Sequence, residues 1–179
     1  DIYPVRGIVD LSTLVDLCNV EGFENLKYPS WRKSNAKGLE TGKPFWDKIK
    51  QSDVMLHVPY QTYDHVLQFI NDAADDPDVL AIKMTLYRTS NDSKIASALE
   101  RAAEKGKHVT VFIELKARFD EKQNISWVSR LERAGAIVVY GIANLKVHGK
   151  IMMVVRRESS GVKRYVHFST GNYNEETAK

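Results

Sequence analysis

Between residues 63 and 140 the sequence switches repeatedly between two hydrophobic periods, and that alternation restricts the fold more than any other feature. VLAIKMTL (79–86), HVTVFIEL (108–115) and AIVVY (136–140) are short, nearly continuous apolar runs of the kind found in buried strands. Amphipathic stretches separate them. YDHVLQFINDAADD (63–76) places Val66, Leu67, Ile70 and Ala74 on one helical face. Asp92 offers a start for the helix KIASALERAAEKG, and Gly106 sits where a glycine stop belongs; a further helix, 121–134, ends at Gly135. Alternation at this spacing implies a parallel sheet with helices on its faces. DVMLHV (53–58) reads as one more strand. After residue 140 the alternation stops, because KVHGKIMMVVRR (146–157) and KRYVHFST (163–170) are strands joined by the turn-rich ESSG, a hairpin pattern. The expected fold is therefore α/β, with a mixed, mostly parallel sheet flanked by helices over residues 46–179. Residues 1–45 show no sustained period and read as the tail of a preceding domain or a linker.

With 179 residues, 43% of them hydrophobic, the chain can bury a core without staples. Cys18 is the sole cysteine and has no CxxC or Cys/His grouping around it, which fits a reducing, cytoplasmic setting and no structural zinc. No apolar run approaches the roughly 20 residues of a membrane span, and the first residues lack a signal-peptide pattern. The sequons at Asn91 and Asn124 carry no weight without one. GLETGKP (38–44) imitates a P-loop, but its glycines are one residue too close and Pro44 stands where a magnesium-binding hydroxyl is required.

The formal net charge of +3 is modest, yet its distribution is uneven. Between Asn144 and His167 stand six cations (Lys146, Lys150, Arg156, Arg157, Lys163, Arg164) against one acid, Glu158, a balance that draws phosphate-rich ligands. For the last four cations a solvated hairpin edge is an equally good reading. Within this stretch Lys146-Val147-His148-Gly149-Lys150 stands out. On a strand, Lys146, His148 and Lys150 project to one side, so a histidine sits between two ammonium groups that keep its imidazole neutral and nucleophilic and suit attack on an anionic phosphorus. His167 follows 19 residues later, and Ser169, Thr170, Gly171 and Asn172 add hydroxyl, backbone and amide donors for phosphate oxygens. Other histidines are plainer: His57 reads as a partly buried strand residue, His65 as helix surface and His108 as a strand entry. Tyr60 and Tyr87 read as core or rim.

HxK followed by a Gly-Asn turn resembles the half-motif of the phospholipase D superfamily, and LKVHGK with HFSTGNYNEETA resembles polyphosphate kinases in particular. HVPYQTY (57–63), DDPDVLAIKMTLYR (75–88), ELKARFDE (114–121) and GAIVVYG (135–141) are similar to that family in the same order. The superfamily pattern would place Asp where this chain has Val155, a departure that argues against a phosphodiesterase and that the kinases share. The resemblance implies a phospholipase D-like domain and reversible transfer of the terminal phosphate of ATP to inorganic polyphosphate through a phosphohistidine at His148. It also implies a second active-site histidine in His167, and magnesium- and phosphate-associated roles for Arg88 and Arg118. A guanidinium has no lone pair to offer, so both arginines are expected to grip phosphate oxygens while Mg2+ rides on phosphates and water. Lys150 is expected at the catalytic centre, with Lys146, Ser169, Thr170 and Asn172 as phosphate or ATP ligands.

The resemblance further implies ATP/ADP and polyphosphate as partners and a longer, homo-oligomeric enzyme with an adenine-contacting domain upstream and a second half-site downstream. This stretch is accordingly expected to be inactive alone. Nucleic acid is not expected, and the location is cytoplasmic, with peripheral attachment to the inner membrane left open. Two rivals from other classes are a phospholipase D-like phosphodiesterase and a non-catalytic polyanion-binding module, the latter marked by steep salt dependence without phosphate exchange.

Overall fold

A computed structural model describes residues 2–4, 6, 7, 9–29, 31–39, 45–87, 93–114, 121–142, 145–175, 177 and 178, the side chains of 121–124 excepted. Two compact units divide between Arg32 and Lys33. In the first, a 3-10 turn at Leu11–Thr13 runs into a short helix α1 (Leu14–Leu17), and the Asp10 carboxylate caps the turn by accepting the Ser12 amide at 2.9 Å. Leu11, Leu14, Val15 and Leu17 are all exposed, and none of the described residues of this unit is buried.

The second unit begins with α2 (Phe45–Gln51) and α3 (Asp64–Asp75), followed by β1 (Val79–Leu86), α4 (Lys94–Glu104), β2 (His108–Ile113), α5 (Glu121–Arg133), β3 (Ile137–Tyr140), β4 (Lys150–Glu158) and β5 (Gly161–Ser169). The five strands form one mixed sheet in the order β3-β2-β1-β4-β5. β1, β2 and β3 run parallel, while β4 returns antiparallel along β1 and β5 antiparallel along β4. Both crossovers step the same way across the sheet, so right-handedness puts α4 and α5 on one face. Gly106 and Gly135 end these helices with positive φ (80° and 94°), a conformation that glycine adopts without the Cβ penalty. α3 packs against α4, where the Arg101 guanidinium bonds Asp75 and Asn71.

Side-chain alternation then decides what is buried. Ile82, Met84, Val109, Val111, Met152 and Val154 point toward the helices and form the core with Ile70, Ile95, Leu99 and Leu131. The opposite register carries Met153, Val155, Val139, Ile151, Val166 and Phe168, which range from half-buried to 71% exposed at Phe168. One sheet face is thus covered, and the other is open and largely apolar.

Residues 33–39 pack with this unit through Ala36 and Leu39, and the Ala36 amide donates to His65 Nε2 at 3.2 Å. His65 is therefore buried rather than on the helix surface, and desolvation holds its imidazole below the usual range. The sequence expectation for 53–58 also needs correction. Val54, Leu56 and Val58 lean on the core and Asp53, Met55 and His57 are exposed, so the period of two is real. Among the described residues no strand pairs with the segment, which turns through a cis Val58–Pro59 bond while Gln61 closes a loop on the His57 amide and carbonyl. Alternation reports extended, half-buried backbone, not a hydrogen-bonded ladder. His57 is accordingly an exposed turn residue with its ring 4.9 Å from that of Tyr60.

Candidate functional site

The His148 segment does not belong to β4, which begins at Lys150. Side chains from the neighbouring strands replace the ladder there. The Thr85 hydroxyl, near the end of β1, donates to the Gly149 carbonyl at 2.6 Å and accepts the Ile151 amide at 3.0 Å. Glu114, just past β2, accepts the Val147 amide at 3.2 Å through Oε2. Glu114 is 5% exposed, so desolvation makes that bond costly to lose. Because 146–149 peel away from the sheet, Lys146, His148 and Lys150 do not share a strand face as expected. Lys146 and His148 are exposed, whereas Lys150 is buried on the helix-covered side.

Lys150 therefore meets His148 through the backbone. Its Nζ donates to the His148 carbonyl at 2.6 Å, and desolvation holds its ammonium below the usual lysine range. Tyr87 joins the two: its ring lies 5.9 Å from the His148 imidazole, edge to face, and 5.4 Å from Lys150 Nζ. His148 is thus fixed at three backbone points while its ring stays open to approach. The arrangement lies at the carboxyl ends of β1 and β2, where open α/β sheets place ligand sites.

Across the β4–β5 ladder Lys150 faces Ser169, and Met152 faces His167. The Ser169 hydroxyl accepts the Gly171 amide at 3.1 Å and donates to the Gly171 carbonyl at 2.9 Å, so it shapes the turn rather than pointing a donor outward. Thr170 is exposed. Asn172 is half-buried, and its Oδ1 is buried without a protein partner. His167 is half-buried beneath the helices, with Nδ1 2.8 Å from the Tyr173 hydroxyl, and burial lowers its imidazole to about 4. Among the described residues no hydrogen bond or ring contact joins His148 to His167. The end of the turn is anchored by Glu175, whose carboxylate accepts the Lys94 and Ile95 amides at 2.6 and 3.3 Å and occupies the start of α4 beside the Ser93 cap.

Arg88 and Arg118, together with Asp92 and residues 40–44 of GLETGKP, lie outside the described residues. Of the hairpin cations, Arg156 is committed to Asp76 at 2.8 Å and Glu158 at 2.6 Å, whereas Arg157, Lys163 and Arg164 are exposed. A hollow of about 400 Å3 between α3, α4 and α5 contains Lys94, Arg101 and Arg130, but neither His148 nor His167 lines it. Among the described residues no group of three or more His, Cys, Asp or Glu could hold a metal. The acid beside His148, Glu114, is occupied with a backbone amide. The described side chains therefore do not by themselves form a Mg2+ site.

Thr85, Glu114 and Tyr173 belong to the site without having been singled out from the sequence, and Tyr87, read there as core or rim, joins them. Glu114 carried a detectable signal, a carboxylate closing an otherwise apolar strand. Thr85 and Tyr173 act through contacts that only the register and the turn create.

Residues 44–179 match the family model for polyphosphate kinase C-terminal domain 1. The polyphosphate kinase of Bacillus anthracis is 48% identical over 181 residues, spanning 100% of this chain and 26% of the relative. That of Neisseria meningitidis serogroup A is 45% identical over 179 residues with the same coverage. The crystal structure of polyphosphate kinase from Porphyromonas gingivalis superposes with a TM-score of 0.73 at 40% identity, covering 89% of this chain and 27% of that one. The chain thus spans about a quarter of the length of the curated relatives it matches.

Proposed function

The chain belongs to the polyphosphate kinase family, and from that membership we propose that it carries the nucleophile for reversible phosphoryl transfer between ATP and inorganic polyphosphate. The observation that supports this most is the holding of His148, whose backbone is tied on both sides while its imidazole is exposed. Such a group can be aimed without being blocked, and positioning is the larger part of what an enzyme supplies to phosphoryl transfer. In the proposed step an imidazole nitrogen forms a bond to the terminal phosphorus of ATP as the bond from that phosphorus to the bridging oxygen breaks, and ADP leaves. A terminal oxygen of polyphosphate then attacks the phosphorus and releases His148.

Lys150 has two roles in this proposal. It fixes the His148 carbonyl, and it supplies positive charge beside the transferring group. In this proposal Lys146, Thr170 and Asn172 are phosphate ligands, and Ser169 shapes their turn. Arg88 and Arg118 grip phosphate oxygens, where a magnesium ion held through the phosphates would add charge neutralisation. His167 assists proton handling. Val155, in place of the superfamily's aspartate, argues against a phosphodiesterase. The 179-residue stretch alone is proposed to turn over nothing, because the adenine-contacting and second half-site regions belong to the longer enzyme. The test is transfer from ATP to polyphosphate by the full-length protein. Activity is expected there and not in His148→Ala, whereas hydrolysis of a phosphodiester, or salt-sensitive polyphosphate binding without exchange, would replace this reading.

A further inference from the structure

We infer that Tyr173 is a positioning residue for His167: its buried phenol accepts the Nδ1–H of the imidazole and donates its own proton to the His167 carbonyl, leaving Nε2 with the free lone pair. The inference deepens the role proposed above for His167. It stands on three atoms. The Tyr173 hydroxyl is 2.8 Å from Nδ1 and 3.4 Å from the carbonyl oxygen of the same histidine, and Tyr173 is 2% exposed. Two hydrogen arrangements are available. If the phenol donates to Nδ1, one bond forms and the hydroxyl oxygen faces the carbonyl oxygen with no proton between them. If Nδ1 carries the proton, the same three atoms make two bonds in series, N–H to hydroxyl and O–H to carbonyl. The His167 carbonyl also accepts the Met152 amide across the β4–β5 ladder, so the two arrangements differ by the additional phenol–carbonyl bond, worth about 1 kcal/mol, and that bond favours the second.

Burial also keeps this imidazole neutral, so a proton on Nδ1 means none on Nε2. The ring is held from outside as well. Tyr173 packs in the core, and two residues further on Glu175 pins the same segment to the start of α4. The tautomer of His167 is therefore coupled to the Ser169–Asn172 turn that carries the proposed phosphate ligands. Phenylalanine would fill the space of Tyr173 equally well and could not select a tautomer.

Ring-15N-histidine labelling of the full-length protein reads the tautomer without substrate, and the His167 resonances are identified by their loss in His167→Gln. The expected spectrum has a pyrrole-type Nδ1 and a pyridine-type Nε2, and Tyr173→Phe shifts the balance toward Nε2–H. In phosphoryl transfer Tyr173→Phe is expected to lower kcat about tenfold or more with KM for ATP unchanged. A pyridine-type Nδ1 in the unsubstituted protein overturns the assignment, even if the variant fails to fold. An unchanged tautomer balance or an unchanged kcat in a folded Tyr173→Phe overturns the positioning role. Because the spectrum needs no turnover, a protein that transfers no phosphate would refute the proposed reaction and leave the tautomer result intact.

Discussion

His167 and His148 differ in what surrounds them, and the difference has thermodynamic consequences. Burial lowers the His167 imidazole from 6.5 to about 4, so between those values the unfolded chain binds a proton that the folded one refuses. The resulting stability is fully present above pH about 6.5 and is lost as pH falls to about 4. A shift of this size corresponds to at most about 3 kcal/mol. Thermal melts across that window should show a decline that His167→Gln flattens; parallel profiles for the two proteins would contradict the burial argument. For His148 the relevant energies are those of its clamp. Thr85→Val removes both hydroxyl bonds to 149–151 at nearly constant volume, whereas Thr85→Ser keeps them. The valine variant should slow phosphorylation of His148 on the order of 10- to 100-fold, the penalty for a misplaced nucleophile, and the serine variant should restore it. Equal rates in a quench assay would show that the clamp is not needed for aim.

At the scale of elements, the readable parts were those whose periodicity and boundaries agree. β1 occupies Val79–Leu86 as its apolar run suggested, and α4 and α5 stop before Gly106 and Gly135. What could not be read was side-chain substitution for backbone pairing. Gln61 closes the 57–61 turn, and Thr85 and Glu114 take over the ladder at 147–151, so two runs with strand-like patterns lack strands in whole or in part. The motif around His148 was legible as chemistry, but its geometry was not, because Lys150 turns inward and bonds a carbonyl. The cationic hairpin divides similarly. Arg156 lies across the Trp46 ring and between Asp76 and Glu158, all three charged side chains being less than 15% exposed. Removing it leaves Asp76 without its ion-pair partner while Glu158 keeps Lys50 and Tyr165, and Arg156→Ala should cost about 3 kcal/mol, read as a lowered urea midpoint. At α4, Ser93→Ala should cost about 1 kcal/mol by the same measurement, since its hydroxyl accepts the Ala96 amide.

The second unit is a two-layer structure in which the described helices cover one sheet face. Ile151, Val166 and Phe168 on the open face are exposed, an apolar surface unusual for a monomeric domain. The 179-residue chain should therefore bind a dye such as ANS while folded, and Val166→Lys with Phe168→Lys should lower that signal without lowering the melting temperature. An undiminished signal in the double variant would show that the open face does not bind the dye. Among the described residues no helix is long and apolar enough to cross a membrane. The covered face carries the core and ends at its carboxyl edge in the clamp around His148, so fold and proposed chemistry meet at one residue. The direct measurement is to incubate the full-length protein with ATP labelled in its terminal phosphate and map the bound label. The account predicts an acid-labile, base-stable phosphate on His148 that passes to polyphosphate and is absent from His148→Ala. A label of the same stability retained in His148→Ala, or mapped to His167, would contradict it.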